Sequence, residues 1–368
     1  MKFIIPLMLI LAVLIVFGAH YLIYKFVTNF FEINNKQTKI ILVIVLFVLS
    51  VAFIIAAILT RFTGHPLLQT IYFLAGTWYG WLVYLLIATG LGWLIFYIFK
   101  IFGLALNLKL TAIILYSLAV VITFYGIGNA FNLQTRNLVV PIKNLPLAWE
   151  GKTAVQITDI HLGAIYGVGY LHKIITSINQ INPDIIFITG DFFDGTCPHL
   201  EEFVKPLDDL HPPLGIYFIY GNHETYEGKD RVAKALEGSR AVLLVDKIVN
   251  IEGVNLIGLD YISEGLKRDT TIFNQVDKNA ANILLYHQPT LIVDAKKAGI
   301  SLQLSGHAHS GQIFPINFIS RLVYGKYYDG YYQEGDYSIY TSSGTGTWGP
   351  PLRTSGQNEI TVIKFIKQ

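Results

Sequence analysis

Ile185-Ile-Phe-Ile-Thr189 is a short apolar, β-branched run that stops at Gly190 and delivers a single acid, Asp191. A run of that length and composition reads as a buried strand, and the glycine marks its turn. The same form recurs on both sides. Val155–Thr158 leads into Asp159-Ile-His161, Ile216–Tyr220 into Gly221-Asn222-His223-Glu224, Ile283–Tyr286 into His287, and Leu302–Ser305 into Gly306-His307-Ala-His309. Leu256–Leu259 also reads as a strand, while Gly169–Ile181 and Lys229–Glu237 are polar enough for helices. Strands alternating with helices predict an α/β domain, and the later strands up to Ile363 predict a second sheet. Each chemistry-bearing residue then stands at a strand end, so all of them gather at one sheet edge.

Asp159, Asp191 and Asn222 offer oxygen, and His161, His287, His307 and His309 offer imidazole nitrogen. Carboxylate, amide and imidazole together suit borderline divalent ions, Mn first, with Fe, Zn or Co as alternatives. Seven ligands are enough for two ions sharing Asp191, the arrangement that holds two metals ~3.5–4 Å apart for displacement at phosphorus. His223 follows a ligand position inside a tight turn and can face a substrate as general acid for the leaving oxygen. A single histidine is ordinarily a surface or core residue. Five of them at strand ends, in this order, are what a metal site requires. The rival from another class is a membrane sensor or scaffold with a structural metal, which has no use for a proton donor such as His223.

These blocks, D-x-H, G-D, G-N-H-[DE], H and G-H-x-H, resemble those of the calcineurin-like metallophosphoesterase superfamily, from about Leu138 to the C-terminus. The tail, with Gly311-Gln312, Gly330-Tyr331 and Gly344-Thr-Gly-Thr-Trp-Gly-Pro-Pro-Leu-Arg353, is similar to a membrane-associated bacterial branch that includes UDP-2,3-diacylglucosamine hydrolase-type enzymes. The resemblance implies a four-layer α/β/β/α sandwich. It assigns Asp159, His161 and His309 to one metal, Asn222, His287 and His307 to the other, Asp191 to both, and proton donation to His223.

The 368 residues allow two domains, and 53% of them are hydrophobic, unevenly placed. Of 27 basic and 25 acidic residues, seven and one lie before residue 136, leaving 20 and 24 in the acidic remainder. That remainder lacks the basic footprint of nucleic-acid binding, so no nucleic acid is expected as partner. Cys197 is the single cysteine, which excludes an intrachain disulfide. Phe3–Tyr24, Ile40–Thr60, Leu67–Phe99 and Leu110–Phe131 are each long enough to cross a ~30 Å hydrocarbon core as a helix. The organisation expected is thus a transmembrane region over 1–135, a linker and lead-in strand over 136–152, and the catalytic domain over 153–368. Lys25, Lys36, Lys39, Lys100 and Lys109 on one side outnumber Lys2, Arg61, Arg136 and Lys143 on the other. Five against four favours a multi-pass cell-membrane protein with its catalytic domain extracytoplasmic.

Three further residues attract attention. Asp194 can orient a ligand histidine or cap a turn. Glu224 can buttress the Asn222 turn or lie at the surface. Arg353 can pair with a phosphate oxygen or form an ordinary ion pair. The aromatic and basic residues of Phe314–Tyr332 suit a membrane interface or a lid. The reading is a membrane-anchored, dinuclear metal-dependent phosphoesterase acting on phosphomono- or diesters that are lipid-linked or close to the bilayer. The alternative within enzymes is a hydrolase of soluble nucleotides or small phosphodiesters with the helices as anchor only.

Overall fold

The computed structural model describes residues 4–195, 197–263, 266 and 268–368, with backbone alone for 4–10. Lys2 and Phe3, counted above, lie outside the described residues. The chain divides into two compact units, Met1–Gly128 with Gly349–Leu352, and Asn129–Trp348 with Arg353–Gln368.

The first unit is built on four helices, α1 (Ile4–Phe30), α2 (Lys36–Thr60), α3 (Pro66–Ile101) and α4 (Leu108–Ala130), the last two residues of α4 belonging to the second unit. All four are long and apolar enough to cross a membrane. Their ends obey ordinary capping chemistry. Asn35 accepts from the N–H groups of Gln37 and Thr38 before α2, and Pro66 occupies the first turn of α3, where no hydrogen bond is lost. α3 is one unbroken helix of 36 residues, about 54 Å at 1.5 Å per residue and so longer than one perpendicular crossing needs. Phe26 and Phe30 stack at 4.0 Å, and Trp93 meets Phe30 edge-on at 5.3 Å.

The second unit contains two six-stranded sheets. The first consists of β1 (Leu133–Ile142), β2 (Thr153–Ile157), β3 (Ile185–Ile188), β4 (Ile216–Phe218), β5 (Ala241–Leu243) and β12 (Asn358–Lys367), in the order β1-β12-β2-β3-β4-β5. The second consists of β6 (Lys247–Ile251), β7 (Val254–Gly258), β8 (Ala281–Leu285), β9 (Leu302–Ser305), β10 (Gly330–Glu334) and β11 (Tyr337–Thr341), in the order β10-β11-β9-β8-β7-β6. The helices are α5 (Val168–Ile181), α6 (Glu201–Val204), α7 (Asn222–Glu227), α8 (Lys229–Leu236), α9 (Ile292–Ala298) and α10 (Asn317–Tyr324).

Strand periodicity makes the layers. Ile185 and Phe187 join Leu256, Ile283 and Leu285 in the core between the sheets. Their neighbours Ile186 and Ile188 point the other way, into a core shared with α5, α6 and α8. Likewise Ile257 and Leu284 pack outward with Ala295 and Ala298 of α9. Successive side chains of a strand face opposite sides, so a strand apolar on both faces needs cover on both. The result is the four-layer α/β/β/α sandwich.

Residues 136–152, expected to join the two regions, begin inside β1, which pairs with β12 through ten registered positions from Leu133 with Asn358 to Ile142 with Lys367. Pro141 lies within β1, an edge strand, where a missing N–H is tolerated. The C-terminal ends of β2, β3 and β4, all mutually parallel, and of β8 and β9, also parallel, point their following loops to one region.

Candidate metal centre

The loops after β2, β3 and β9 are tightly strained. Asp159, His161, Asp191, His307 and His309 all have positive φ, from 49° to 68°, a region that side-chain-bearing residues rarely occupy. Two glycines permit the close approach. A Cβ on Gly221 would lie 2.2 Å from Asp191 Oδ1, and one on Gly306 would lie 2.0 Å from Asp159 Oδ2. These contacts explain why glycine precedes Asn222 and His307.

Asp159, His161 and His309 bring one ligand atom each within 4.8 Å of one another, and Asp191, His287 and His307 do the same. The first three connect through His309 Nε2, 3.3 Å from Asp159 Oδ1 and 3.0 Å from His161 Nε2. In the second group His287 Nε2 is 3.2 Å from Asp191 Oδ2, 3.2 Å from His307 Nδ1 and 3.3 Å from Asn222 Oδ1. Asp191 Oδ2 also lies 3.9 Å from His161 Nε2, so its carboxylate reaches both groups. Buried imidazole nitrogens this close, facing carboxylates, form a donor set that a divalent cation would satisfy.

Supporting contacts set the orientations. His287 Nδ1 meets the Thr189 carbonyl at 2.8 Å, which leaves Nε2 to face the group. Asp159 accepts from Thr158 Oγ1 at 2.7 Å and from the His307 N–H at 3.0 Å. His223 donates its backbone N–H to Asp191 Oδ1 at 2.8 Å, and its Nδ1 lies 2.8 Å from the Asp194 carbonyl. The ring is thereby held with Nε2 free of that contact, edge-on to His161 at 4.5 Å between centroids. Asp194 also places Oδ1 3.6 Å from His161 Nδ1, so one residue touches both histidines.

Glu224 is fully buried and accepts from four backbone N–H groups, those of Asp191, Phe192, Phe193 and Gly221, at 2.7–3.3 Å. It ties the Gly190-Asp191 loop to the start of α7. Burial, and then the charge of Asp191, push its carboxyl up to about 7. Burial alone would also raise Asp191, but the imidazoles of His287, His223 and His161 reverse this and hold it well below the usual carboxylate range. His223 is lowered by burial and by neighbouring His161.

Arg353 lies elsewhere. It is fully buried, and its guanidinium donates to the carbonyls of His309 at 3.0 Å and Gly346 at 2.8 Å. It is not among the residues lining the cavity over the ligand groups. Its contact with the His309 carbonyl supports a ligand-bearing loop.

That cavity encloses about 400 Å³. Sequence reading missed Tyr226, Tyr261 and Trp348, which line it beside the histidines. Tyr226 meets the His223 ring at 5.1 Å and Tyr261 the His307 ring at 6.2 Å. Tyr226, four residues beyond Asn222, and Trp348, inside the Gly344–Arg353 tail, each stood beside a quoted motif. Tyr261 arrives through the fold.

The calcineurin-like phosphoesterase family profile matches residues 152–311. An uncharacterised metallophosphoesterase of Campylobacter jejuni is 33% identical over 256 residues, which cover 67% of this chain and 67% of its own. A transmembrane protein with metallophosphoesterase domain from Danio rerio is 31% identical, over 67% of this chain and 61% of that protein. An uncharacterised metallophosphoesterase of Bacillus subtilis is 31% identical, over 63% of this chain and 85% of its own.

Proposed function

The chain belongs to the calcineurin-like phosphoesterase family, and from that premise we propose that it is a membrane-anchored phosphoesterase working with two divalent ions. The observation that carries this reading is the pair of ligand groups, Asp159/His161/His309 and Asp191/His287/His307, opening on one cavity with Asp191 reaching both. Asn222 completes the second group. Mn is the favoured metal, with Fe, Zn or Co as alternatives. Bound there, two such ions would supply a nucleophile at neutral pH and positive charge for the phosphoryl oxygens.

The protein's own residues do the rest. His223 stands in the cavity outside those two groups, although it also lies within ligand reach of His161 and Asp194, and its Nδ1 is fixed on the Asp194 carbonyl. It donates a proton from Nε2 to the leaving oxygen. Burial disfavours its charged form, and an anionic ester entering beside it favours that form again, so the proton is acquired with the substrate. Asp194 orients His161 and His223, and Glu224 holds the loop that presents Asp191.

The substrate we propose is a phosphomono- or diester, lipid-linked or close to the bilayer, because four membrane-long helices tether the site. A second reading, soluble nucleotides or small phosphodiesters, draws on the ring faces of Tyr226, Tyr261 and Trp348, on which a base could stack. The basic loop residues favour an extracytoplasmic catalytic unit, and protease accessibility in intact cells tests this. Turnover of bis-p-nitrophenyl phosphate by the detergent-solubilised chain, with Mn and with chelator, tests the enzyme. No Mn-dependent turnover would leave the scaffold alternative. A screen of phospholipids, UDP-lipids and nucleotides then separates the substrate readings.

A further inference from the structure

Among the described residues, nothing buries the apolar side of α10. None of its residues is buried, and Phe318 and Leu322 are 59% and 86% exposed, with Phe314, Ile319 and Val323 exposed beside them. It carries no acid, and its one charge is Arg321. A soluble fold rarely leaves a contiguous apolar face of this kind without an occupant. The tyrosines that follow are engaged differently. Tyr327 bonds to Glu334, while Tyr331 and Tyr332 belong to β10 and pack against the sheet cores. The interfacial character expected of Phe314–Tyr332 therefore resides in α10 and Phe314.

The corner of the fold where α10 begins identifies the occupant. Gln312 accepts from the N–H groups of Thr354 and Ser355 at 2.9 and 3.0 Å, and Phe314 N–H donates to Thr354 Oγ1 at 3.0 Å. The flanking carbonyls of Arg353 and Gly356 accept from Asn129 Nδ2 at 3.1 and 3.3 Å. Asn129 and Ala130 are the last two residues of α4, and the Ala130 carbonyl is held by Tyr166 Oη at 2.7 Å and by Asn358 Nδ2 at 2.5 Å. The end of a membrane-long helix and the start of α10 are thus fastened to one four-residue segment. At its other end α10 delivers Tyr324, whose ring lies 5.8 Å from that of His307.

We infer that α10 lies in the interfacial layer of the bilayer, apolar side down, and sets the mouth of the metal cavity at headgroup level, so that the substrate is a phosphate ester on a lipid of that leaflet. Phe318, Ile319 and Leu322 insert among acyl chains, and Arg321 faces anionic headgroups. The substrate clause rests on the phosphoesterase reading above. The placement of the helix does not.

The full chain in nanodiscs of phosphatidylcholine and phosphatidylglycerol separates the two. Phe318→Cys and Leu322→Cys, each labelled with an environment-sensitive fluorophore, should be quenched by doxyl-labelled lipid. Val242→Cys, on exposed β5 at the sheet edge opposite β1, should not be. Buried Cys197 stays unlabelled. Quenching at 318 and 322 no greater than at 242 overturns the placement. Shielding from aqueous iodide without lipid quenching overturns it too, by putting a protein or a second copy on this face. Phe318→Asp with Leu322→Asp should lower turnover of a vesicle-embedded phosphate ester about tenfold and leave soluble bis-p-nitrophenyl phosphate within about twofold. Equal loss on both overturns the substrate clause, and it leaves the quenching result standing.

Discussion

Asp191 has more assigned to it than any other side chain. It reaches both ligand groups, accepts the His223 N–H, and sits in a left-handed backbone conformation at φ 50°. Asp191→Asn keeps the shape and removes the shared negative charge. Metal analysis should find fewer than two ions per chain, with most activity gone. Two bound ions and near-normal turnover would refute a bridging role. His223 makes the opposite prediction. His223→Ala should keep both metals and lose ~10²–10⁴-fold on esters with poor leaving groups, with a smaller loss on activated aryl esters. Equal losses on both ester types, or lost metal, would contradict proton donation.

At the scale of the element, the loops depend on contacts that strands and helices supply. Glu224, in the first turn of α7, accepts four N–H groups that Glu224→Ala would leave buried without partners. Each orphaned donor costs about 1–3 kcal/mol, so the four together should cost the variant about 4 kcal/mol or more in thermal unfolding, and metal binding should weaken. Glu224→Gln keeps an acceptor oxygen and should lose less. If both variants melt like the parent, the clamp is not what holds the Asp191 loop. Arg353 belongs to this scale too, since its bonds are to the carbonyls of two neighbouring loops.

For the whole molecule, β1 decides where the catalytic unit begins. Its ten-position pairing with β12 starts at Leu133, and Asn129 and Ala130 already belong to the unit. A chain truncated to start at Leu138 loses half of β1 and uncovers β12. It should aggregate or melt well below one that starts at Asn129. Equal solubility and melting would show β1 to be dispensable. Chelation should act globally as well. Ions bound at about 100 times Kd add about 2.7 kcal/mol, so the melting temperature should fall with chelator and recover with Mn. An unchanged melt would argue against resident metals.

Much of this was legible in the sequence because its signals are local. An apolar run ended by glycine and a ligand-type side chain marks strand, turn and chemistry within seven residues, as in Ile185–Asp191. Apolar stretches longer than 20 residues likewise mark helices able to cross a bilayer without reference to anything else in the chain. What depended on distant residues was not legible. The start of β1 at Leu133, three residues before the lead-in strand expected from 136, is fixed by pairing with β12 across more than 200 residues. Arg353 read as either a phosphate contact or an ordinary ion pair, and the fold encloses its guanidinium against the carbonyls of His309 and Gly346. Tyr261 carries no local mark, Trp348 stands in the glycine-rich tail with no chemistry attached to it, and both reach the cavity because separate loops converge there. Composition and period specify elements and the atoms they can offer. Which of those atoms meet, and which are shut away from solvent, is decided by packing between segments far apart in the chain.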